Sequence, residues 1–66
     1  MEIIVNGEAK NIKAQSTVEE LLNELKVKEK TMAVAINMEI VKKEHWDKHQ
    51  IKEGDKLELL HFVGGG

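Results

Sequence analysis

The sequence has 66 residues, a length that suffices for one domain with a thin core and is too short for a deep, enclosed active site. Its composition, 41% apolar and 33% charged, is typical of a globular protein. Ten basic and twelve acidic residues leave a formal charge of −2, and lysines alternate with glutamates, which argues against nucleic-acid binding. The sequence contains no cysteine, so disulfides and thiol chemistry are excluded and a reducing cytoplasm is the expected location.

The first residues predict a β-hairpin. Glu2–Val5 is a β-branched run that ends at Asn6-Gly7, the dipeptide best suited to the positive φ angles of a tight turn. A second strand, Glu8–Lys13, should pair back onto the first. No basic stretch leading into a long apolar run precedes this pattern, so we expect neither export nor membrane insertion.

A helix is predicted after the hairpin. Thr17 is the expected N-cap, and Glu20 stands three residues later, where its side chain closes a capping box. Apolar residues then recur at the i, i+3, i+4, i+7 spacing of one helical face: Val18, Leu21, Leu22 and Leu25. One apolar face implies one sheet for the helix to cover.

Two further strands follow the helix. Met32–Ile36 is the predicted third strand, with Val34 and Ile36 on one face and two alanines on the other. A turn at Asn37-Met38 leads into a short edge strand at Ile40–Val41.

The remainder predicts a polar connection and a last strand. Residues 42–50 are polar apart from Trp46 and should hold a single helical turn, with Trp46 packed over the edge of the core and its indole N–H bonded to an acceptor. Glu53-Gly54-Asp55 is a predicted turn, and Leu57–Phe62 is the last strand.

This element order predicts an α+β protein with the β-grasp (ubiquitin-like) architecture, in which a mixed sheet of about five strands carries one helix on one face. The first and last strands are then central, parallel neighbours. We expect a β-grasp domain over residues 1–63 and a flexible glycine tail over residues 64–66.

The last strand also predicts a docking surface. If the helix covers Leu57 and Leu59, then Leu60 and Phe62 stand on the outer face, where Ile4 of the first strand should join them. Apolar side chains on an outer face suggest a partner-docking patch made of Ile4, Leu60 and Phe62. The alternatives are a different register that buries them, or isolated exposed residues without a role.

The histidines and the other polar residues do not predict an active site. His45, His49 and His61 have no cysteine or suitably spaced acidic residue beside them, so we expect solvated side chains and no metal site. No nucleophile–base set and no phosphate-binding glycine loop is present in the sequence. A non-enzymatic role is therefore expected.

One family shares these features over the whole length. The sequence resembles the thiamine-biosynthesis sulfur carrier (ThiS) family, relatives of ubiquitin, in Ala35-Ile36-Asn37, Ile40-Val41, Trp46, His49, Gly54-Asp55, Leu57, Leu59 and Gly65-Gly66. The resemblance implies that an activating enzyme uses ATP to adenylate the Gly66 carboxylate, and that the carboxylate then becomes a thiocarboxylate. Some relatives carry a larger residue where this chain has Gly64.

The resemblance also implies the partners. They are an adenylating enzyme, a thiazole synthase that receives the sulfur, and a sulfur donor such as a cysteine desulfurase or a rhodanese-like protein. We also expect that no cofactor is bound permanently and that the free chain is a monomer. The charge pattern and the N-terminal sequence predict neither nucleic-acid nor membrane binding. Gly64, Gly65 and Gly66 would enter the active site of the partner.

The chemistry of the tail agrees with that cycle. A carboxylate is a poor electrophile, whereas an acyl-adenylate has a good leaving group that a sulfur nucleophile can displace. Three glycines extend at most about 10 Å beyond Val63 and carry no side chains that obstruct entry into a cleft. Three alternatives stay open: a frayed or vector-derived end, the small subunit of molybdopterin synthase, and a ubiquitin-like modifier or interaction module.

Overall fold

The computed structural model describes residues 1–62, which form one five-stranded mixed sheet with a helix. The strand order is β2-β1-β5-β3-β4. The elements are β1 Glu2–Val5, β2 Glu8–Asn11, α1 Val18–Glu24, β3 Thr31–Ile36, β4 Glu39–Val41 and β5 Lys56–His61. This is the predicted β-grasp arrangement, with β5 at the centre and parallel to β1. Val63 and the three predicted tail glycines lie outside the described residues.

The N-terminal hairpin forms as predicted, although its second strand is shorter. Asn6 and Gly7 have φ angles of 48° and 85°, as a two-residue hairpin turn requires. The predicted extension of β2 to Lys13 is wrong, because β2 ends at Asn11. Ile12 is still buried and bonds to Met1 in both directions, with N···O distances of 2.8 and 2.7 Å.

The helix begins at the predicted capping box. The Thr17 backbone N–H donates to Glu20 Oε1 at 2.8 Å, and the Glu20 N–H donates to Thr17 Oγ1 at 3.1 Å. The predicted apolar face is the buried one, with Val18, Leu21 and Leu22 in the core and Leu25 packed against it.

The sequence does not predict the C-terminal cap of helix α1. Lys26 has a φ angle of 59°, its N–H donates to the Asn23 carbonyl, and the Val27 N–H donates to the Leu22 carbonyl. These two bonds form a Schellman motif with lysine in the position that glycine usually occupies. An unpredicted 3₁₀ turn follows at Lys28–Lys30.

Strands β3 and β4 lie close to their predicted positions. Each begins one residue earlier than predicted, at Thr31 and Glu39, so those two boundaries are wrong. The turn between them is Asn37-Met38, with φ angles of 51° and 72°. Both residues therefore adopt the left-handed conformation of a two-residue hairpin turn without a glycine.

The connection from β4 to β5 closes one side of the core. It contains the predicted single helical turn, a 3₁₀ turn at Lys43–His45. Trp46 is 1% exposed, and its indole N–H donates to the Val41 carbonyl at 2.9 Å, which confirms the prediction for this residue. Gly54 has a φ of 83° in the predicted turn before β5.

Both predicted ends of the last strand are wrong by one residue. Strand β5 covers Lys56–His61, and Phe62 lies just beyond it. Its alternation is as predicted: Leu57 is buried under the helix and Leu59 packs against the core. Ile3, Val5, Val34 and Ile36 are the buried residues of the neighbouring strands β1 and β3. The opposite face of the sheet is not covered by any element of residues 1–62.

Candidate docking face and chain exit

The chain leaves the sheet from its central strand. Beyond β5, the Phe62 N–H donates to the Lys30 carbonyl at 2.9 Å, so the 3₁₀ turn after the helix fixes the last described residue. Gly64, Gly65 and Gly66, the predicted reactive tail, lie outside the described residues. The site that can be described is therefore the exit itself and the sheet face around it.

On its β1 side, the end of β5 is held by a side chain instead of a strand. The Asn6 backbone N–H donates to the Leu57 carbonyl at 2.9 Å. Its side-chain Oδ1 then accepts the Leu59 N–H at 2.8 Å, and its Nδ2 lies 3.5 Å from the Leu59 carbonyl oxygen. The side-chain amide of Asn6 thus bonds to Leu59 in place of a further residue of β1.

A second asparagine holds the beginning of β5 in a similar way. The Asn37 backbone N–H donates to the Lys56 carbonyl at 2.8 Å, and its side-chain Oδ1 accepts the Lys56 N–H at 3.1 Å. Asn37 Nδ2 also donates to Asp55 Oδ1 at 3.0 Å. Asn6 and Asn37 are both the first residue of a hairpin turn, so each neighbouring hairpin of β5 contributes one asparagine.

The three residues of the predicted patch lie on two separate parts of the outer face. Leu60 and Phe62 are 53% and 58% exposed beside the chain exit, as the prediction requires. Ile4 is only partly buried, but it lies opposite Lys56, at the other end of β5. Lys56 and Leu60 are four positions apart along the strand, a distance of about 13 Å. The structure therefore brings Leu60 and Phe62 together and does not bring Ile4 to them.

The apolar neighbours of Leu60 come from β3 and β4 instead. Leu60 pairs with Ala33, and Ala35, two residues further along the same face of β3, pairs with Ile40. Ile40 is 68% exposed. We call this set of outward-facing residues the outer-face strip: Leu60, Ala33, Ala35 and Ile40.

The sequence contained a signal for the strip. In the predicted edge strand, Ile40 faces away from the core when its neighbour Val41 faces the core. The sequence also predicts that the two alanines of β3 face away from Val34. What was missing was the register that places Ala33 beside Leu60 and Ala35 beside Ile40, and register depends on turn geometry that the sequence specifies only loosely.

Ile4 belongs to a different feature, an open groove of about 520 Å³ between the two hairpin turns. Met38, which is 90% exposed, lines the groove from the β3–β4 turn, and Asn6 lines it from the other turn. Glu58 lines the side of the groove nearest Leu60, because it lies between Lys56 and Leu60 on the outer face of β5, and it pairs with Ala35. A charged residue thus separates the two apolar parts of the sheet.

The polar residues show no second centre within residues 1–62. His45, His49 and His61 are all exposed, as expected. In that part of the chain, no three residues among histidine, aspartate and glutamate are close enough to hold a metal ion. No helix in the described residues is long and apolar enough to cross a membrane.

Comparison with known proteins gives concordant matches. The model of the ThiS family matches residues 3–66. The sulfur carrier protein ThiS of Escherichia coli is 38% identical over 66 residues, which is 100% of both chains. A crystal structure of the thiamine biosynthesis protein ThiS from Geobacter metallireducens superimposes with a TM-score of 0.84, at 37% identity and over 100% of both chains.

Some similar proteins are much longer. A thiazole synthase of Paramagnetospirillum magneticum is 46% identical over the 66 residues, and a second one, from Magnetococcus marinus, is 36% identical over the same length. The chain spans 20% of the length of each of these two proteins.

Proposed function

This chain belongs to the ThiS family, and from that membership we propose that it is a sulfur carrier protein for thiazole formation in thiamine biosynthesis. The observation that carries the proposal is the full-length similarity to a sulfur carrier protein, within a family match that extends through Gly66. The reactive group of the proposed cycle is the Gly66 carboxylate. Catalysis comes from partner enzymes, and the chain acts as their protein substrate.

The fold is compatible with separate roles for the folded body, which binds the partner, and the tail, which carries the carboxylate. Strand β5 lies at the centre of the sheet, and Gly66 follows Phe62 by four residues. Four extended residues span at most about 14 Å. The folded body can therefore stay on the surface of a partner while the carboxylate enters the partner's cleft.

The proposed chemistry has two stages. First, a Gly66 carboxylate oxygen attacks the α-phosphorus of ATP in the activating enzyme, and pyrophosphate leaves. The resulting mixed anhydride has AMP as a good leaving group, so a sulfur nucleophile of the donor can attack the acyl carbon and displace AMP. When that nucleophile is a persulfide, the product is an acyl disulfide, and attack of a thiol on the donor's sulfur breaks the S–S bond to give the thiocarboxylate and a new disulfide. The glycines Gly64 and Gly65 carry the thiocarboxylate into the next active site.

A thiazole synthase is the proposed acceptor of the sulfur. The support is that two thiazole synthases contain a segment similar to this entire chain within one polypeptide. Covalent connection of two modules raises their effective concentration for each other, which favours modules that work on the same intermediate. An adenylating enzyme and a cysteine desulfurase or rhodanese-like donor complete the cycle, which we place in the cytoplasm.

The outer-face strip and Phe62 are the proposed docking surface for the activating enzyme. Leu60 and Phe62 are exposed next to the chain exit, and Ile40 is exposed on the edge strand. The partly buried alanines of β3 lie between Leu60 and Ile40, and the helix lies on the other face of the sheet. Exposed apolar side chains in a continuous set are a common feature of protein interfaces. This surface replaces the predicted set of Ile4, Leu60 and Phe62, from which Ile4 is separated by most of the length of β5.

Intact mass spectrometry tests the proposed function. The chain is incubated with ATP, the activating enzyme and a sulfur source, and we expect the mass gain that corresponds to replacement of one oxygen by sulfur. A chain synthesised with a Gly66 carboxamide is the matched control, because it has the same fold and lacks the carboxylate. A ladder of lysine conjugates, or no sulfur-containing product, would refute the proposal.

A further inference from the structure

We propose that Asn6 is a positioning residue for the reaction at Gly66: its side-chain amide fixes the end of β5 from which the chain leads to the carboxylate. The proposal rests on the proposed function, and it concerns a residue that lies outside the outer-face strip. Its basis is the pair of contacts between Asn6 and the backbone of Leu59.

Strand β1 is too short to support the whole of β5. It ends at Val5, where the chain turns at Asn6-Gly7, and the parallel pairing with β5 stops at Leu57. Strand β5 continues through His61. A free backbone edge therefore begins at the point where β1 turns away, and this edge includes the peptide groups of Leu59.

Asn6 occupies that edge with the groups that a strand would present. A side-chain amide has a carbonyl acceptor and an N–H donor, as a peptide unit does. The Oδ1 atom accepts the Leu59 N–H at 2.8 Å, and Nδ2 lies 3.5 Å from the Leu59 oxygen. The first contact is short and the second is at the limit of a hydrogen bond, so the acceptor role is the stronger one.

The backbone of Asn6 makes this arrangement possible. Its φ of 48° is a left-handed conformation that asparagine tolerates better than most residues. Its N–H also donates to the Leu57 carbonyl at 2.9 Å, so Asn6 bonds to alternate residues of β5 with backbone and side chain. The side chain thereby continues the spacing of the ladder that the backbone began.

The consequence for the tail follows from distance along the chain. Leu59 precedes Gly66 by seven residues, and Phe62, held on the other side by Lys30, precedes it by four. Strand β5 stays paired with β3 through His61, so loss of the Asn6 contact leaves the Leu59 segment supported on one flank only. A shift of this segment moves the origin of the tail. Displacement of a reacting group by about 1 Å can lower a rate about 100-fold, so even partial loss of this support should reduce turnover.

Asn37 provides a matched control within the same molecule. It is also the first residue of a hairpin turn, with a similar φ of 51°, and its Oδ1 also accepts a backbone N–H of β5. That N–H belongs to Lys56, at the end of β5 away from the exit. Loss of either side chain removes a bond to a backbone N–H of the same strand, but only the loss of Asn6 removes it from the end that leads to Gly66.

The experiment compares three variants: Asn6→Gly, Asn37→Gly and Asn6→Asp. Glycine removes each side chain without strain at a positive φ, and aspartate keeps the acceptor for the Leu59 N–H. We measure amide hydrogen exchange at Leu59 and the kcat and KM of adenylate formation with the activating enzyme and ATP. Circular dichroism establishes that each variant is folded.

For Asn6→Gly we expect the exchange of the Leu59 amide to rise at least about tenfold and kcat to fall about fivefold or more. We expect KM to change less than kcat, to within about twofold, because the substitution removes no side chain of the docking surface. Asn37→Gly should keep kcat within about twofold of the unmodified chain, and Asn6→Asp should recover most of the loss.

Three outcomes overturn the proposal. Equal kcat values for Asn6→Gly and Asn37→Gly would show a merely structural role. A loss that appears only in KM would assign Asn6 to docking. If the unmodified chain forms no adenylate while Leu59 exchange still depends on Asn6, the proposed function fails and the positioning role fails with it, although the contact to Leu59 is real.

Discussion

Trp46 donates its indole N–H to the carbonyl oxygen of Val41 across a 2.9 Å buried hydrogen bond. The bond joins the connection before β5 to the edge strand β4. Both residues are in the core, with Trp46 1% and Val41 8% exposed. The polar connection is thus attached to the sheet by its one large apolar side chain.

Trp46→Phe should therefore destabilise the chain. Phenylalanine removes the donor and leaves the Val41 carbonyl without it in a buried position, which costs about 1–3 kcal/mol. The free energy of unfolding, measured by urea denaturation with circular dichroism, should fall by at least about 1 kcal/mol. The exposed neighbour Asp47 provides the control, because Asp47→Ala should change it by less than about 0.5 kcal/mol. Equal stabilities would contradict the role assigned to this bond.

The capping box of α1 gives a second stability prediction. Thr17→Ala removes the oxygen that accepts the Glu20 N–H at 3.1 Å. The expected loss is about 1 kcal/mol, detectable as a lower thermal midpoint and urea midpoint. Thr17→Ser retains the oxygen, so its free energy of unfolding should differ from that of the unmodified chain by no more than about 0.3 kcal/mol. A serine variant as unstable as the alanine variant would show that the methyl group, and not the cap, is responsible.

The docking surface predicts a kinetic effect without a stability effect. Leu60→Asp and Phe62→Asp each place a charge on an exposed apolar residue beside the exit. We expect kcat/KM for adenylation to fall at least about tenfold, mainly through KM, because the interface loses apolar contact and must desolvate a carboxylate.

Met38→Asp is the matched control for these two variants. Met38 is more exposed than either residue, at 90%, and lies in the groove on the other side of Glu58. Its kcat/KM should stay within about twofold of the unmodified value. A larger effect at Met38 than at Leu60 would move the docking surface to the groove that contains Ile4.

Deletion of Gly66 tests the reach of the tail. The shortened chain still ends in two glycines, but its carboxylate is one residue, at most about 3.6 Å, nearer to Phe62. Since an error of about 1 Å can cost about 100-fold in rate, thiocarboxylate formation measured by intact mass should become at least that much slower. The urea midpoint should not change. Gly64→Ala keeps the length and should lose less, so a greater loss in Gly64→Ala would indicate that tail bulk, and not reach, is limiting.

The sequence predicts most of the body because local signals agree with each other. Alternation around Ile3 and Val5 fixes the buried face of β1, and the Thr17 and Glu20 pair fixes the start of the helix. The end of the helix was not predictable in the same way. Lysine in the left-handed position of Lys26 resembles any other exposed lysine in the sequence, and only the bonds around it reveal the turn.

The candidate site was predicted less completely, because it depends on register. The sequence places Leu60 and Phe62 on the outer face, and both are exposed there. The alternation of side chains predicts only that Ile4 shares this face. Its position along β5 depends on its pairing with Lys56, which the alternation does not specify. The contact between Asn6 and Leu59 joins residues 53 positions apart, and no local pattern encodes it.

The central position of β5 also decides how the molecule responds to force. Strand β5 is parallel to β1 and antiparallel to β3, with hydrogen bonds on both flanks. A partner that draws the chain end inward pulls β5 along its own axis, so the bonds of both ladders are loaded together in shear instead of being unzipped one at a time. An enzyme can therefore pull on the chain beyond β5 without unfolding the domain.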